Sequence, residues 1–186
     1  MNGKNRTKYT LLGMLAIEPM SGYEIKKAIE RSTSYFWSES DGQIYPALSH
    51  CVEKGWATCH EEGSKTSTRT KKIYKITSQG KEELRSWLIK KVQPNLLRNE
   101  LLLKLFFGKN VKEQENIHHV RVHEKEIKEG LNMFLSIRDN LKSNHKNSPD
   151  LKYWLITLDH GITMSKAELK WCKDTLIVLE NAGRIS

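Results

Sequence analysis

The sequence has few cysteines and no long apolar run, and each shortage excludes a class of protein. Its three cysteines, Cys51, Cys59 and Cys172, are odd in number and widely spaced, which argues against a disulfide framework. No apolar stretch approaches the roughly 18 residues of a membrane-spanning helix. The basic and then apolar N-terminus is interrupted at Glu18 without a small-residue cleavage site, which does not suit a secretory leader. We therefore expect a cytoplasmic protein with no membrane segment.

The sequence also lacks the short motifs that mark catalytic and cofactor sites. It contains no GxSxG elbow, Walker loop, glycine-rich dinucleotide turn or HExxH motif. His119 and His123 stand four residues apart on a predicted helix, the spacing of two metal ligands, but a hydrated polar face is the simpler interpretation. The sequence therefore predicts no enzyme, no cofactor and no metal site.

What the chain does have is basic charge, unevenly distributed. The formal net charge is +9, and residues 1–92 hold 16 Lys and Arg against 10 Asp and Glu. Six of these basic residues lie between Gly63 and Lys81, a stretch without an acidic residue. Such a run favours a polyanion, because each neutralised phosphate releases condensed counterions. An ordinary solvated surface can carry the same run of basic residues. The interpretation of this run as a DNA-binding surface therefore depends on its position beside a second feature of the sequence.

That second feature is a short amphipathic helix, predicted to begin at a capping Asp41 and to stop at Gly55. Ile44, Leu48 and Val52 recur every four residues and form one apolar stripe. The remaining face is rich in groups that can hydrogen-bond to base edges or phosphates. Those residues are Gln43, Tyr45, Pro46, Ser49 and His50. An ordinary solvated helix is the alternative interpretation of this face.

The surrounding segments complete a winged helix-turn-helix. The pattern predicts helices over 7–17 and from Ser21, which has Glu24 in capping-box position. Alternating residues over 56–61 and 72–77, joined by a polar loop, predict a basic β-hairpin. A fourth helix follows from Thr77 or Ser78. Residues 1–93 are thus predicted to be a DNA-binding domain, with the short helix in the major groove and the hairpin as its wing.

Residues 94–186 are predicted to be all helical, so the fold class is mainly α with a small β-hairpin. In the last helix apolar and small residues alternate steps of four and three from Leu151 to Leu179. This seam needs a partner helix. The preceding helix of the same chain could cover it, but we expect a homodimer in which a second copy does so. Residues 94–186 are therefore predicted to be a dimerisation domain.

Together these segments resemble the PadR family of bacterial transcriptional regulators, which is named for a phenolic acid decarboxylase repressor. The resemblance lies in LLGML at 11–15, SGYEI at 21–25, QIYPAL at 43–48 and IYKIT at 73–77, supported by Phe36-Trp37, EKG at 53–55, GKEEL at 80–84 and Trp87-Leu88. It covers about the first 90 residues closely and the remainder by architecture alone. The resemblance implies a dimer that binds a palindromic operator in double-stranded DNA and releases it when a small molecule enters.

The resemblance also implies the residues that do this. The helix in the major groove would contribute Gln43, Tyr45, Pro46 and Ser49, the wing Lys65, Thr66, Arg69, Lys71 and Lys72, and the second helix Tyr23, Lys26 and Lys27 through the phosphate backbone. A small aromatic effector, such as a phenolic acid, would meet Tyr23, Phe36, Trp37 and Trp154, so the resemblance implies that the helical domain of residues 94–186 also takes part in effector binding. The three aromatic residues Phe36, Trp37 and Trp154 could instead only join the two domains. Trp154 departs from the polar residue that would suit the acid group.

We therefore expect a dimeric, sequence-specific repressor that a small aromatic effector releases. Two other functions stay open from the sequence. One is a protein-interaction or scaffold module that holds a partner through the wing domain, against which the basic run argues. The other is a transcriptional activator with the same fold, which no residue of the sequence excludes.

Overall fold

A computed structural model describes residues 6–62, 71–93 and 98–182 of the chain. The chain divides into two compact units, Met1–Pro94 and Asn95–Ser186. The described residues form seven α-helices, three β-strands and one 3₁₀ turn at Gly108–Asn110. In chain order the helices and strands are α1 (Thr7–Ile17), β1 (Met20–Ser21), α2 (Gly22–Ser32), α3 (Asp41–Glu53), β2 (Ala57–Glu62), β3 (Lys71–Ile76), α4 (Ser78–Leu88), α5 (Glu100–Phe106), α6 (Glu113–Asn144) and α7 (Leu151–Ala182).

The first unit contains a three-stranded antiparallel sheet with the order β1-β3-β2. The predicted hairpin is confirmed, since β2 pairs with β3 from Ala57 opposite Ile76 to Glu62 opposite Lys71. The strand β1 was not predicted. It has only two residues, paired opposite Tyr74 and Ile73, and two residues are too few to show the alternation that marks a strand. This strand connects the wing directly to the start of α2.

The N-terminal cap was predicted correctly from the sequence for α2 but not for α3. At α2 the predicted capping box is confirmed: Glu24 N donates to Ser21 Oγ at 3.3 Å, and Ser21 N donates to the Glu24 carboxylate at 2.8 Å. At α3 the predicted cap was wrong. Ser40 precedes the helix, and Asp41 is its first residue. The Ser40 backbone N–H is bound by the side chain of Gln43, which makes this the second box of the same kind.

The end of α3 follows from a single glycine. Gly55 has a φ of 68°, the left-handed conformation that glycine adopts at least cost. Gly55 N donates to Val52 O at 2.9 Å and Trp56 N donates to Cys51 O at 2.8 Å, the pair of bonds that closes a Schellman motif. The chain therefore turns sharply out of α3 and enters β2.

The core of the first unit is built around α1. This helix packs against α2, α3, α4 and β3, which explains why it is apolar on most sides. The fully or almost fully buried side chains are Leu11, Leu12, Leu15, Ile25, Ile29, Ile44, Leu48 and Cys51. Burying an aliphatic side chain of this size stabilises a fold by about 1.5–3 kcal/mol. Burial also raises the pKa of the Cys51 thiol to about 11.

Side-chain contacts attach α4 to α1. The rings of Tyr9 and Trp87 stack with their centroids 4.6 Å apart, and Lys8 Nζ lies 3.1 Å from Glu83 Oε1. The backbone of Gly80, in the first turn of α4, lies against Trp56 in the turn that follows α3. A Cβ at this position would lie 2.0 Å from the Trp56 carbonyl oxygen. Only glycine permits this approach between α4 and the turn that follows α3.

The second unit is dominated by α6 and α7, which pack as a hairpin. An ion pair from Arg121 to Glu180 and a hydrogen bond between His123 and Glu168 join the first part of α6 to the second half of α7, so the two helices are antiparallel. The seam of α7 faces α6, and Leu158, Ile162 and Cys172 are buried there. The expectation that a second copy covers this seam is therefore wrong: the preceding helix of the same chain covers it. None of the helices among the described residues could cross a membrane.

We predict that Gly80→Ala destabilises the protein by about 1–3 kcal/mol, because the new methyl group would overlap a backbone oxygen that cannot move aside. Gly13→Ala in α1 is the matched control, since a Cβ at Gly13 meets nothing within 4 Å. This control should be neutral or stabilising by up to about 1 kcal/mol through helix propensity. Urea denaturation followed by tryptophan fluorescence measures both variants, and equal midpoints would contradict the prediction.

Candidate nucleic-acid interface

The outward face of α3 presents the side chains that the sequence marked for DNA. The inward face, with Ile44 and Leu48 fully buried, fixes the rotation of the helix about its axis. Tyr45, Pro46 and Ser49 are consequently exposed, while Gln43 is half-buried. The Ser49 hydroxyl donates to the Tyr45 carbonyl at 3.3 Å, which leaves its oxygen lone pairs as acceptors.

Gln43 has a structural task that restricts what it can offer a ligand. Its carboxamide oxygen accepts from Ser40 N at 3.0 Å and from Ser40 Oγ at 2.8 Å. The side-chain nitrogen remains to donate, and it suits an acceptor such as guanine O6 or N7, thymine O4 or a phosphate oxygen. The Gln43 side chain thus caps the start of the helix and also carries a hydrogen-bond donor.

Tyr45 is positioned by a glycine on the neighbouring helix. A Cβ at Gly22 would lie 2.6 Å from the Tyr45 ring and 3.3 Å from Leu48. The ring of Tyr45 therefore lies against the first turn of α2, with about half of the residue exposed (49%). This packing restricts the ring and presents its edge and hydroxyl group beside the start of α2.

The lysines of α2 are each paired with an acidic residue. Lys26 Nζ lies 2.6 Å from Asp41 Oδ2 at the start of α3, and Lys27 Nζ lies 2.8 Å from Glu30 Oε2 on its own helix. The hydrogen bond to Asp41 raises the pKa of Lys26. Exposed pairs of this kind contribute little to stability. Both ammonium groups are accessible enough to exchange a carboxylate for a phosphate.

The two lysines at the start of β3 differ in how firmly they are held. Lys71 Nζ donates to Glu24 Oε1 at 2.7 Å, whereas Lys72 Nζ lies 3.9 Å from Glu61 Oε1. Glu24 also accepts from the backbone and hydroxyl groups of Ser21. The Lys71 hydrogen bond, followed by those from Ser21, lowers the pKa of Glu24 to about 2. Glu24 is therefore charged at every physiological pH.

Three of the residues predicted for the wing, Lys65, Thr66 and Arg69, lie outside the described residues. The structure brings the others together on one part of the first unit. Strand β1 pairs with β3 and leads directly into α2, and α2 packs against α3. The face formed by α2, α3 and the start of β3 therefore carries Tyr23, Lys26, Lys27, Gln43, Tyr45, Pro46, Ser49 and Lys71. Lys72 is the next residue of β3, and its side chain points to the other side of the sheet.

The four aromatic residues proposed for an effector have separate neighbours. Tyr23 is exposed, with Lys27 Nζ 5.8 Å from its ring centroid. Phe36 packs edge-on against Tyr35, and Trp37 Nε1 donates to Glu39 Oε1 at 2.7 Å. Trp154 belongs to the second unit and packs edge-on against His145. Within the first unit Phe36 and Trp37 adjoin in the α2–α3 connection.

A groove of about 420 Å³ runs between the first turn of α1 and the outer face of α3. Its lining residues are Thr7, Lys8, Gly42, Gln43, Pro46, Ala47 and His50. The groove shares Gln43 and Pro46 with the candidate interface.

Across the described parts of the chain, no three His, Cys, Asp or Glu side chains converge as metal ligands. His123 instead pairs with Glu168 at 3.0 Å.

Several residues that shape this face were not identified from the sequence. Gly22 follows the Ser21 cap, and a glycine in the first turn of a helix is the only local signal of its contact with Tyr45. Glu24 was recognised as a capping residue, but its bond to Lys71 spans 47 positions and has no sequence signature. Asp41 was taken for a cap and is instead the partner of Lys26.

Two family models match the chain, one in each unit. The Transcriptional regulator PadR-like family matches residues 11–86. The Virulence activator alpha C-term family matches residues 97–180. The first match spans α1 to α4 and hence the whole candidate interface among the described residues. It confirms the resemblance that the motifs of the first half indicated.

A relative and two of its solved structures are similar to this chain over nearly its full length, as the sequence and structure comparisons show. The negative transcriptional regulator PadR of Bacillus subtilis is 26% identical over 180 residues, which are 93% of this chain and 97% of that protein. The crystal structure of Bacillus subtilis PadR in complex with operator DNA is similar with a TM-score of 0.81 and 29% identity, covering 92% of this chain and 98% of that one. The structure of the same protein with p-coumaric acid gives a TM-score of 0.75 at 26% identity, over 97% and 98% of the two chains.

Proposed function

We propose that the chain, whose residues 11–86 match the Transcriptional regulator PadR-like family, is a dimeric repressor that binds a palindromic operator. The observation that carries this proposal is the exposed face of α3 with its adjoining lysines, on a chain similar over nearly its full length to a regulator solved on operator DNA. A protein-interaction module would have no use for this combination of a polar helix face and basic flanks. Its place of action is accordingly the cytoplasm, where the DNA is.

On this proposal α3 enters the major groove of the operator. Tyr45, Ser49 and the Gln43 side-chain nitrogen contact base edges, and Pro46 supplies an apolar surface for a thymine methyl group. Lys26, Lys27 and Tyr23 contact phosphates and set the register without reading sequence. The wing, with Lys71 and Lys72 at its base and Lys65, Thr66 and Arg69 between its strands, follows the adjacent backbone.

The second unit is proposed to form the homodimer through α7. Opposite the seam that α6 covers, Tyr153, Ile156, Met164 and Val178 are all more than half exposed. Their separations from Tyr153 of 3, 11 and 25 residues are each close to a whole number of helical turns, so they form one line along the helix. An exposed apolar line of this length marks an interface. A two-fold pair would place two α3 helices one turn of DNA apart, or a multiple of it.

A small aromatic acid is proposed as the effector that releases the operator. This proposal is supported by the similarity to Bacillus subtilis PadR, which has been solved in complex with p-coumaric acid. It is also supported by the aromatic side chains of this chain, Tyr23, Phe36, Trp37 and Trp154. Aromatic rings offer stacking surfaces to a flat acid. The effector acts by binding the DNA-incompetent arrangement of the dimer more tightly than the competent one, since equal affinity would shift no population. No chemical conversion of the effector is proposed.

A transcriptional activator with the same DNA-binding mode is the second candidate. The observation in its favour is the match of residues 97–180 to the Virulence activator alpha C-term family. Repression is preferred because a relative that is similar over nearly the whole chain is a negative regulator. A reporter fused downstream of the bound site distinguishes the two, since its output falls under repression and rises under activation.

We predict that the purified chain enriches one palindromic sequence from a random duplex library. Fluorescence anisotropy with the enriched duplex should give an affinity at least about 1,000-fold tighter than with a shuffled duplex.

Gly22→Ala should weaken binding of the enriched duplex roughly tenfold or more, because it displaces Tyr45. Tyr45→Ala should do the same, and the double variant should lose little more. Gly13→Ala is the control and should bind normally. Equal binding of both duplexes would refute the proposed function.

We predict that Met164→Glu converts the dimer to a monomer, because a carboxylate placed in the apolar line of α7 would be buried without a partner. Ile177→Glu is the matched control. Ile177 is also exposed (58%), but it lies about 110° around the helix from the line. Sedimentation velocity should give half the mass for Met164→Glu and an unchanged mass for the control. A wild-type protein that sediments as a monomer at micromolar concentration contradicts the proposed dimer.

We predict that p-coumarate or a related phenolic acid raises the melting temperature and releases the enriched duplex. Phe36→Ala should weaken both effects, because the ligand loses a stacking surface. Phe106→Ala is the control, as this ring is also exposed (82%) but lies outside the proposed ligand residues. A panel of phenolic acids that leaves both the melting temperature and the DNA affinity unmoved would eliminate this effector class.

A further inference from the structure

The two lysines at the base of the wing are held in different ways. The Lys71 ammonium donates to Glu24 at 2.7 Å, and Glu24 is itself fixed by two hydrogen bonds of 2.8 Å from the Ser21 backbone and hydroxyl. Among the described residues, the Lys72 ammonium is paired with a carboxylate oxygen of Glu61 at 3.9 Å, beyond hydrogen-bonding distance, and both side chains are about 60% exposed. The first lysine belongs to a network, while the second is loosely paired.

The network lies where the wing meets the helices. Ser21 pairs with Ile73 in the sheet, and the same residue caps α2. Lys71 is the first residue of β3 and pairs with Glu62, the last residue of β2. One carboxylate on α2 therefore connects the helix cap to the strand on which the wing loop ends.

We propose that Lys71 is a positioning residue, which through Glu24 sets the orientation of the wing, and that Lys72 is the lysine of this pair that neutralises a phosphate. This inference rests on the proposed DNA-binding function and assigns separate tasks within it. If Lys71 moved to a phosphate, the Glu24 carboxylate would stay in its capping position beside the negative backbone of the DNA. The joined pair carries no net charge, so its approach to DNA displaces few counterions.

The salt dependence of DNA binding separates the two tasks. The logarithm of the binding constant falls linearly with the logarithm of salt concentration, and each phosphate contact contributes about one to that slope. Lys72→Met should reduce the slope by about one. Lys71→Met should leave the slope nearly unchanged while weakening binding of the enriched duplex roughly two- to fivefold, as loss of an exposed ion pair allows. The slopes are measured by anisotropy titrations between 50 and roughly 300 mM salt, where a difference of one is readily resolved.

The variant Glu24→Gln tests the same inference from the other side. Glutamine can still accept from Ser21 N, as Gln43 does from Ser40, so the capping box is retained. The substitution removes only the charge that holds Lys71. With Lys71 free to meet a phosphate, the slope should rise by about one. Adding Lys71→Met to this variant should return it to the wild-type value.

The inference is overturned if Lys71→Met lowers the slope as much as Lys72→Met does, or if Glu24→Gln leaves the slope unchanged while the variant is folded. Circular dichroism and the melting temperature establish folding; should Glu24→Gln fail to fold, the two lysine variants alone decide the result. A wild-type protein that does not distinguish the enriched duplex from the shuffled one removes the proposed function, and this inference falls with it. The wild-type measurement thus separates the two kinds of failure.

Discussion

The burial of one side of α3 is the constraint on which the candidate interface depends. Ile44, Leu48 and Cys51 are fully buried, and because they recur at helical spacing they leave a single rotation open to the helix. That rotation exposes Tyr45 and Ser49. The ends of the helix are set just as narrowly, by the side chain of Gln43 at the start and by the left-handed Gly55 at the finish. The exposed residues are therefore presented in a fixed order by contacts that they do not themselves make.

The charges around this face are more balanced than the sequence alone suggests. The first half of the chain has a clear excess of Lys and Arg, yet Lys26, Lys27 and Lys71 each have a carboxylate within 3 Å. Exposed pairs of this kind add little to stability. Their effect lies in binding, because an ammonium group that is already paired contributes less to the attraction of any DNA irrespective of sequence. A regulator must find a few sites among many, and a restrained attraction to all DNA serves that requirement.

The sequence predicted those features whose causes are local. The capping box of Ser21 and Glu24 lies within four residues, and the hairpin has alternation in both strands. What it could not show depends on residues far apart in the chain. The pairing of Lys71 with Glu24, the strand β1 and the packing of Gly22 on Tyr45 each join segments whose closeness is a property of the folded unit. The α3 start was misassigned by one residue because Ser40 and Asp41 are both good caps.

The seam of α7 shows a different limit. The spacing from Leu151 to Leu179 established that a helix must cover it, but a heptad pattern is the same whether the partner is the same chain or another one. The structure places α6 there. The residues of the proposed site, and the division of the chain by function at residues 93 and 94, remain predictions that the experiments above address.

The attachment of α4 to α1 has a mechanical consequence. Helix α4 is the last described element of the first unit, and the covalent chain leads from it to the second half. The stacked rings of Tyr9 and Trp87 and the Lys8–Glu83 pair attach α4 to the start of α1. Because α1 also packs against α2 and α3, we expect a displacement of α4 to reach both helices of the candidate interface through α1.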